Sequence, residues 1–181
     1  TIDPAVNTST TSALNWVDPV RRDPLVLDLD GGGITTSGIN PNAPILFDQD
    51  GDGTEPASGW DASGGGLVAR ALKGRTHGPK AGQTAANGFE ALADLDADAS
   101  GLADGKFDSN DVAYSSVKLW KDANQDGISQ AGELHTFEEL GVSSLTAAGT
   151  AANVNLGGGN TQTFSGSFTR TIRKIQTEKN A

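Results

Sequence analysis

The segment from Asp122 to Glu133, DANQDGISQAGE, carries the ligand spacing of a calcium-binding loop. Oxygen-bearing side chains stand at loop positions 1, 3 and 5, a glycine stands at position 6, and a glutamate ends the loop at position 12. Ca²⁺ binds about six to eight oxygens at about 2.3–2.6 Å, so a short loop of this kind can wrap around one ion. A solvated acidic turn is the alternative interpretation. The predicted calcium ligands are the side chains of Asp122, Asn124, Asp126 and Glu133, and the backbone carbonyl oxygen of Ile128 at position 7.

A second acidic loop lies upstream and contains an insertion. Asp96 and Asp98 stand at positions 1 and 3. A bulge at Ala99–Ala103 would bring Asp104 to position 5 and Asp111 to position 12. Without the insertion, the same stretch starts with suitable carboxylates but ends on a phenylalanine, which cannot bind a cation. The spacing with the insertion therefore predicts a second calcium site beside the first.

Two shorter Asp/Gly loops nearer the start of the chain are further candidates for calcium. DQDGDG has carboxylates in its first half, but its position 12 is a glycine, so Glu55 or Asp61 would have to complete the ligand set. A polar hairpin loop is the alternative there. DLDGGG offers two carboxylates where three are expected, so it is either a weak site or one that depends on a remote ligand. The predicted ligands are Asp28 and Asp30 in DLDGGG, and Asp48, Asp50 and Asp52 in DQDGDG.

Short strands must position the first of these loops. Alternating apolar residues predict a strand in Pro24–Asp30, and a short apolar run predicts a second at Ile45–Phe47; each runs into an Asp/Gly loop. A weaker pattern predicts a third strand around Leu67 and Val68. Alternating Thr, Val and Asn residues predict a hairpin or ribbon in Leu145–Phe168.

Helices are predicted around the two longer acidic loops. Apolar residues at helical spacing favour helices from about Ala85 to Leu95, over Asn110–Lys121, and from about Glu133 to Leu140. Helices on both sides of Asp122–Glu133 would make this segment an EF-hand that shares one helix with the loop before it. The sequence therefore predicts an α+β fold: short strands with Asp/Gly loops, a paired EF-hand, and a C-terminal β-ribbon.

Composition excludes several classes of function. The 181 residues include 23 Asp and Glu against 13 Lys and Arg, a net charge of −10, which argues against nucleic acid as a partner. The absence of cysteine excludes disulfides and thiolate metal sites, and no apolar run is long enough to span a membrane. We expect a monomer with a flexible linker at 1–22, a calcium-binding module at 23–168 and a basic tail at 169–181.

An ordered set of motifs resembles the self-processing module of FrpC-like proteins, which are secreted RTX-type proteins of Gram-negative bacteria. The motifs are RRDPLVLDLDGGGI, LFDQDGDG, GW, QTAANGFEALADLD and LWKDANQDGISQAGEL, and the resemblance covers roughly Asp23 to Gly166. It implies that calcium triggers cleavage of the matching bond, Asp23–Pro24. It further implies that the new aspartyl end can be joined to a lysine amine of another chain. A secreted or cell-surface location follows from the same resemblance.

The residues at this bond suit such a cleavage. The Asp23 carboxylate can close on its own carbonyl carbon as a five-membered anhydride, and Pro24 leaves more easily when its nitrogen is twisted or protonated. Water or a lysine amine would then open the anhydride, giving hydrolysis or an isopeptide link. Asp-Pro pairs also follow Asp3 and Asp18, and such pairs usually form turns, so only the following LVLDLD distinguishes Asp23.

Two departures from the family pattern concern the calcium trigger. Gly32 stands where the family usually has an aspartate, and ALKGRTHGPKAG lacks the carboxylates usual in the family's next loop. A calcium-stabilised structural or adhesion module that cuts nothing is therefore the first alternative function. The second is a calcium sensor that exposes an apolar groove, but such grooves are usually rich in methionine and this chain has none.

Overall fold

Strands dominate the structure, a computed structural model that describes residues 24–48, 54–61, 64–70, 85 and 87–171. Within these residues there are thirteen strands, one α-helix and one 3-10 helix. All of the strand pairs are antiparallel. The described part of the chain is therefore mostly β-structure, and the predicted α+β fold is wrong.

The largest sheet joins segments that are far apart in sequence. Its strands are β1 (Val26–Asp28), β6 (Gly65–Arg70), β8 (Val117–Trp120) and β9 (Leu134–His135). They lie in the order β1-β6-β8-β9. Leu67 of β6 pairs with Val26 on one side and with Trp120 on the other. The strands predicted at Pro24–Asp30 and around Leu67 are confirmed as parts of this sheet.

Apolar residues alternate along these strands, so each face of the sheet packs against its own hydrophobic cluster. The larger cluster contains buried residues of the sheet and of other elements: Leu27, Leu29, Leu92, Phe107, Tyr114, Val117, Leu119, Phe137, Val142 and Leu145. The smaller cluster contains Trp60, Leu67 and Trp120, and the two indole rings meet edge to face with centroids 5.4 Å apart. Because Trp60 adjoins Asp61 and Trp120 lies just before the 122–133 loop, the smaller cluster anchors two acidic segments.

Four smaller sheets and ribbons complete the fold. A three-stranded sheet has the order β13-β10-β7, with β7 at Lys106–Asp108, β10 at Val142–Thr146 and β13 at Phe168–Arg170. The predicted C-terminal ribbon is confirmed as β11 (Thr150–Gly157) paired with β12 (Asn160–Ser165). The remaining pairs are β2 (Thr36–Ser37) with β5 (Trp60–Asp61), and β3 (Ile45–Leu46) with β4 (Ala57–Ser58).

The first predicted helix is present but short. Helix α1 spans Gly88–Ala93, and the side chain of Asn87 caps it by accepting hydrogen bonds from the backbone N–H groups of Phe89 and Glu90. The cap fixes the start of the helix at this point rather than near Ala85. Leu92 is its buried residue and joins the larger hydrophobic cluster.

The other two predicted helices are wrong. Asn110–Lys121 contains a 3-10 helix at Tyr114–Ser116 and then β8, and Val112 is 71% exposed. Glu133–Leu140 begins with β9, which pairs with β8, and continues as turns. The described residues therefore contain no paired EF-hand helices, because the tertiary pairing of β8 with β6 and β9 overrides the local helical spacing.

Candidate metal centres

The loop 122–133 closes a β-hairpin instead of joining two helices. Trp120 of β8 pairs with Leu134 of β9, and the N–H of Lys121 donates to the carbonyl oxygen of Glu133 at 2.9 Å. The two ends of the loop are thereby held side by side. Asp122 and Glu133, the first and last predicted ligands, are each only 7% exposed.

Main-chain N–H groups surround the carboxylates of this loop. Asp122 accepts from the N–H of Gly127 at 2.8 Å and from that of Asp126 at 3.3 Å. Glu133 accepts from the N–H of Gln130 at 3.0 Å and from the indole Nε1 of Trp120 at 3.2 Å. Asp126 accepts from the backbone of Ile128 and from the side-chain amides of Asn124 and Gln130. All five predicted ligands therefore lie in one folded turn.

The loop from Asp96 to Asp111 repeats this pattern. Asp96 accepts from the N–H of Gly105 at 2.8 Å and from that of Asp104 at 3.2 Å. Asp111 accepts from the N–H of Asp108 at 2.7 Å. In both loops position 1 accepts from positions 5 and 6, and position 12 accepts from position 9, when the second loop is numbered with its insertion. The hydrogen bonds within 96–111 therefore follow the loop numbering in which Ala99–Ala103 form a bulge.

The insertion forms a turn of its own. The carboxylate of Asp98 accepts from the backbone N–H groups of Ser100 and Leu102 and from the hydroxyl of Ser100. The hydroxyl contact is the main cause that lowers the pKa of Asp98. The Asp98 side chain therefore stabilises the bulge. This structural role is separate from its prediction as a calcium ligand at position 3.

Like charges crowd around the end of the 96–111 loop. Burial raises the pKa of Asp111, the hydrogen bond from Asp108 N–H opposes the shift, and the charges of Asp96, Asp108 and Asp104 add to it. No group of three or more His, Cys, Asp or Glu side chains converges as a ready metal cluster within the described ranges. The carboxylates instead bond to main-chain N–H groups, so binding a cation would require them to turn toward a common point.

A further acidic centre lies at the start of the chain. Asp28 accepts from the N–H groups of Gly31 and Gly33 at 2.8 and 2.9 Å, and the Gly33 contact is the main cause that lowers its pKa. Asp30 accepts from the N–H of Gly32 at 2.8 Å. Asp28 therefore ends β1, and Asp30 lies in the tight turn that directly follows it.

Asp61 joins this centre from strand β5. Burial, and then the charges of Asp30 and Asp28, raise the pKa of Asp61 to about 7. Its Oδ1 atom is buried and has no hydrogen-bond partner among the described residues. A side chain at Gly64 would collide with Asp30, and one at Gly65 would collide with Asp61, so the two glycines leave room for the carboxylates. We call Asp28, Asp30 and Asp61 the N-terminal acidic centre.

The sequence pattern assigned Asp61 to a different loop. It was, with Glu55, a candidate to complete DQDGDG, whereas in the fold it lies against Gly65, which pairs with Asp28 of β1. The one local signal was the run Gly64–Gly66, which removes side chains next to Asp61. In DQDGDG itself, Asp48 lies within the described residues, and Asp50 and Asp52 lie outside them.

The expected cleavage bond lies at the edge of the described chain. Asp23 is outside the described residues, and Pro24 is exposed. The next residue is fixed: Leu25 accepts from the N–H of Val68 at 2.9 Å, and the backbone at Gly88 lies so close that a side chain there would collide with Leu25. The segment that follows Pro24 is therefore held between β6 and the start of α1.

A cavity connects the N-terminal acidic centre with the 122–133 loop. Its volume is about 130 Å³, and it is lined by Trp60, Asp61, Gly65, Leu67, Lys121, Asp122 and Ala123. The indole Nε1 of Trp60 has no hydrogen-bond partner in the described part of the chain. The two acidic regions are thus neighbours that face one partly polar space.

No helix in the described ranges is long and apolar enough to cross a membrane.

Fold and site together define a β-rich domain whose Asp/Gly turns and hairpin loop carry clustered carboxylates, the oxygen ligands that Ca²⁺ prefers. The family model of the SPM domain matches residues 25–179, and the chain therefore belongs to the SPM-domain family. The iron-regulated protein FrpA of Neisseria meningitidis serogroup C is 42% identical over 179 residues. That alignment covers 88% of this chain and 16% of the relative. Both findings fit the resemblance to FrpC-like RTX proteins.

Proposed function

We propose that this chain is a calcium-dependent self-processing module that cleaves its own Asp23–Pro24 bond. The observation that supports the calcium dependence is the hydrogen-bond pattern that loops 96–111 and 122–133 share at the same ligand positions. Membership of the SPM-domain family supports the cleavage, because the matched region begins directly after the expected bond, at residue 25.

Calcium would bind the carboxylates that crowd one another in the unloaded chain. In loop 122–133 the proposed ligands are Asp122, Asn124, Asp126, Ile128 and Glu133, and in loop 96–111 they are Asp96, Asp98, Asp104 and Asp111. Asp28, Asp30 and Asp61 would hold a further ion. Burial, and then neighbouring carboxylate charges, raise the pKa of Asp61 and Asp111, and a bound cation would supply positive charge that offsets both effects. The loops would then fix the segment that contains the bond.

The chemistry of the cleavage needs only the two residues at the bond and a proton. A carboxylate oxygen of Asp23 attacks its own main-chain carbonyl carbon, and the bond from this carbon to the Pro24 nitrogen breaks. The nitrogen takes up a proton from solvent or a nearby acid and leaves as a secondary amine. Water then opens the anhydride to give a terminal aspartate. A lysine amine of another chain would open it instead to give an isopeptide bond.

The main role of the folded domain is to hold the chain that begins at Pro24, whose nitrogen is the leaving group. Leu25 is bound to β6 through the N–H of Val68 and is confined by the backbone at Gly88. Asp28 ends the short strand β1 and Asp30 follows in the next turn, so order in the N-terminal acidic centre also restrains the chain just after Pro24. Fixing one side of a scissile bond lowers the entropy cost of reaching the attack geometry.

An exported location suits this arrangement. Clustered, weakly bound calcium sites stay empty where calcium is scarce and fill at extracellular calcium concentrations. The chain would therefore remain uncut during synthesis and become active outside the cell. Calcium ions and an acceptor lysine on another protein are the partners that this function implies.

A calcium-stabilised module without cleavage activity is the second candidate. The observation that favours it is Gly32, which leaves the N-terminal acidic centre without the aspartate that related modules usually carry. The Gly32 N–H donates to Asp30, so this position lies inside the turn. Loss of a carboxylate here would weaken the centre nearest to the bond while leaving the two longer loops intact.

Two matched alanine variants separate these functions. Asp23→Ala removes the proposed nucleophile, and Asp18→Ala alters a second Asp-Pro pair just upstream. After calcium is added to the chelated chain, mass spectrometry should find cleavage in the unaltered chain and in Asp18→Ala, and none in Asp23→Ala. Cleavage that survives Asp23→Ala would refute the anhydride route. An unaltered chain that stays whole but gains structure would favour the second candidate.

A further inference from the structure

Arg170 connects the last described strand to the N-terminal acidic centre. Its guanidinium donates from Nη1 to the main-chain oxygen of Leu29, which lies between Asp28 and Asp30. Its Nε donates to the main-chain oxygen of Leu140 at 2.8 Å. One side chain therefore holds two segments that are more than a hundred residues apart in sequence.

The backbone of Arg170 is itself firmly placed. It lies in β13, where it pairs with Val142 of β10, a residue only 2% exposed. The next residue, Thr171, donates from its N–H to the oxygen of Gly141 at 2.8 Å. The guanidinium therefore projects from a strand that packs against the larger hydrophobic cluster, and its position at Leu29 depends on that strand being formed.

A second contact reaches the same centre from the ribbon of β11 and β12. The side-chain amide of Asn160 donates to the hydroxyl of Thr36 at 3.0 Å and to the main-chain oxygen of Ser37 at 3.1 Å. These residues form β2, and Thr36 pairs with Asp61. The C-terminal third of the domain thus holds both the turn of Asp28 and Asp30 and the strand that carries Asp61.

From these contacts we infer that Arg170 is a positioning residue for the N-terminal acidic centre, and that self-processing requires β13 to be in place. The inference rests on the proposed function and deepens it. The guanidinium fixes the Leu29 carbonyl, which orients the carboxylates on either side of it. The same contact holds the turn in its shape before any cation binds.

This arrangement makes cleavage conditional on a complete domain. β1 follows the scissile bond directly, whereas Arg170 is near the end of the described chain. A chain that has folded only its first half would have the Asp23–Pro24 bond but would lack the contact that orders the adjacent turn. Calcium would then cut only chains whose C-terminal strand has already paired with β10.

Three variants of the full chain test the inference. Arg170→Met keeps the aliphatic stem and removes the charge and both hydrogen bonds, and Arg170→Lys keeps the charge but cannot bridge two carbonyls in the same way. Thr169→Val is the matched control, because it alters an exposed neighbour in the same strand. Each variant is followed by hydrogen exchange of its backbone amides with calcium present, and by the rate of appearance of the chain that begins at Pro24.

Arg170→Met should speed amide exchange at 25–37 while leaving 119–135 unchanged, and it should slow cleavage by about tenfold or more. Arg170→Lys should fall between Arg170→Met and the unaltered chain, and Thr169→Val should match the unaltered chain. Equal exchange at 25–37 in Arg170→Met and in the control would overturn the inference. If amide exchange in Arg170→Met is faster throughout the chain, the result for Arg170→Lys decides. Faster exchange in Arg170→Lys at 25–37 alone supports the positioning role of Arg170, and faster exchange throughout the chain overturns it.

The exchange measurement also separates the two proposals. If the unaltered chain is not cleaved, the proposed self-processing fails, yet the comparison at 25–37 still decides whether Arg170 orders the acidic centre. If the unaltered chain is cleaved and Arg170→Met is cleaved at the same rate with unchanged exchange, only the role of Arg170 fails.

Discussion

Replacing Asp61 by asparagine should stabilise the domain without calcium and weaken it with calcium. Asp61 is partly buried beside Asp28 and Asp30, and burial followed by these two charges raises its pKa from 3.8 to about 7. A raised pKa means that the folded chain holds the proton more tightly than the unfolded chain does. Stability from this group is therefore complete below about pH 4 and is lost as the pH rises through about 7. Asparagine cannot ionise, so it avoids this loss.

The size of the effect follows from the shift. A shift of about three pKa units corresponds to a ceiling of about 4 kcal/mol. Asp61 is only partly buried, and solvent screening reduces this to about 1–2 kcal/mol. At pH 8 in a chelator, Asp61→Asn should therefore unfold at a denaturant concentration that reflects about 1–2 kcal/mol more stability than the unaltered chain. At pH 4 the two chains should agree, because Asp61 is then protonated.

Urea unfolding at several pH values between 4 and 8 measures this difference. Asp94→Asn is the matched control, since it removes an exposed carboxylate at the end of α1. The gain in stability of Asp61→Asn between pH 4 and pH 8 should exceed any change seen in this control. With calcium present the sign should reverse for Asp61→Asn, because the variant lacks a ligand. A stability difference that does not change with pH, or a variant that is less stable at pH 8 in chelator, would refute the reasoning.

Three further substitutions test the loops. Glu133→Gln removes the charge that closes loop 122–133, and calorimetry should show calcium affinity lower by about tenfold or more; equal affinity would contradict the site. Asp98→Ala removes the acceptor that holds the inserted turn, so amide exchange should increase at 99–103 and stay unchanged at 122–133; an unchanged turn would show that the carboxylate is not needed. Gly32→Asp adds the missing carboxylate beside Asp30, and the calcium concentration for half-maximal cleavage should fall by about tenfold, as mass spectrometry can measure. A rise in that concentration would mean that the turn cannot accommodate the side chain.

Local patterns predicted the acidic loops better than the elements that flank them. The spacing of carboxylates and glycines is a local property of the chain, and the hydrogen bonds within 122–133 and 96–111 follow that spacing; calcium binding by these loops stays a prediction. The strand predicted near Leu27 followed from alternation, the one near Leu67 from a weaker pattern, and both are present. The flanking segments were ambiguous, because short apolar runs fit either a helix or a strand.

Long-range pairing decided the remaining features. Residues 117–120 form a strand because β6 and β9 pair with them on either side. The sequence of the segment itself does not indicate these pairing partners. Asp61 comes near Asp28 because β1 pairs with β6 at Gly65, which no local spacing encodes. Arg170 reaches Leu29 across nearly the whole domain. Such contacts between distant residues are seen in the folded structure and are not encoded in the local spacing of a single sequence.

Trapping the intermediate tests the central claim most directly. Calcium is added to the chelated full chain in the presence of hydroxylamine, which reacts with an anhydride to give a hydroxamate, and the products are weighed by mass spectrometry. We expect one fragment that begins at Pro24 and a second, ending at Asp23, that carries the hydroxamate. An intact chain, or cleavage at any other bond, would contradict calcium-triggered self-processing at Asp23–Pro24.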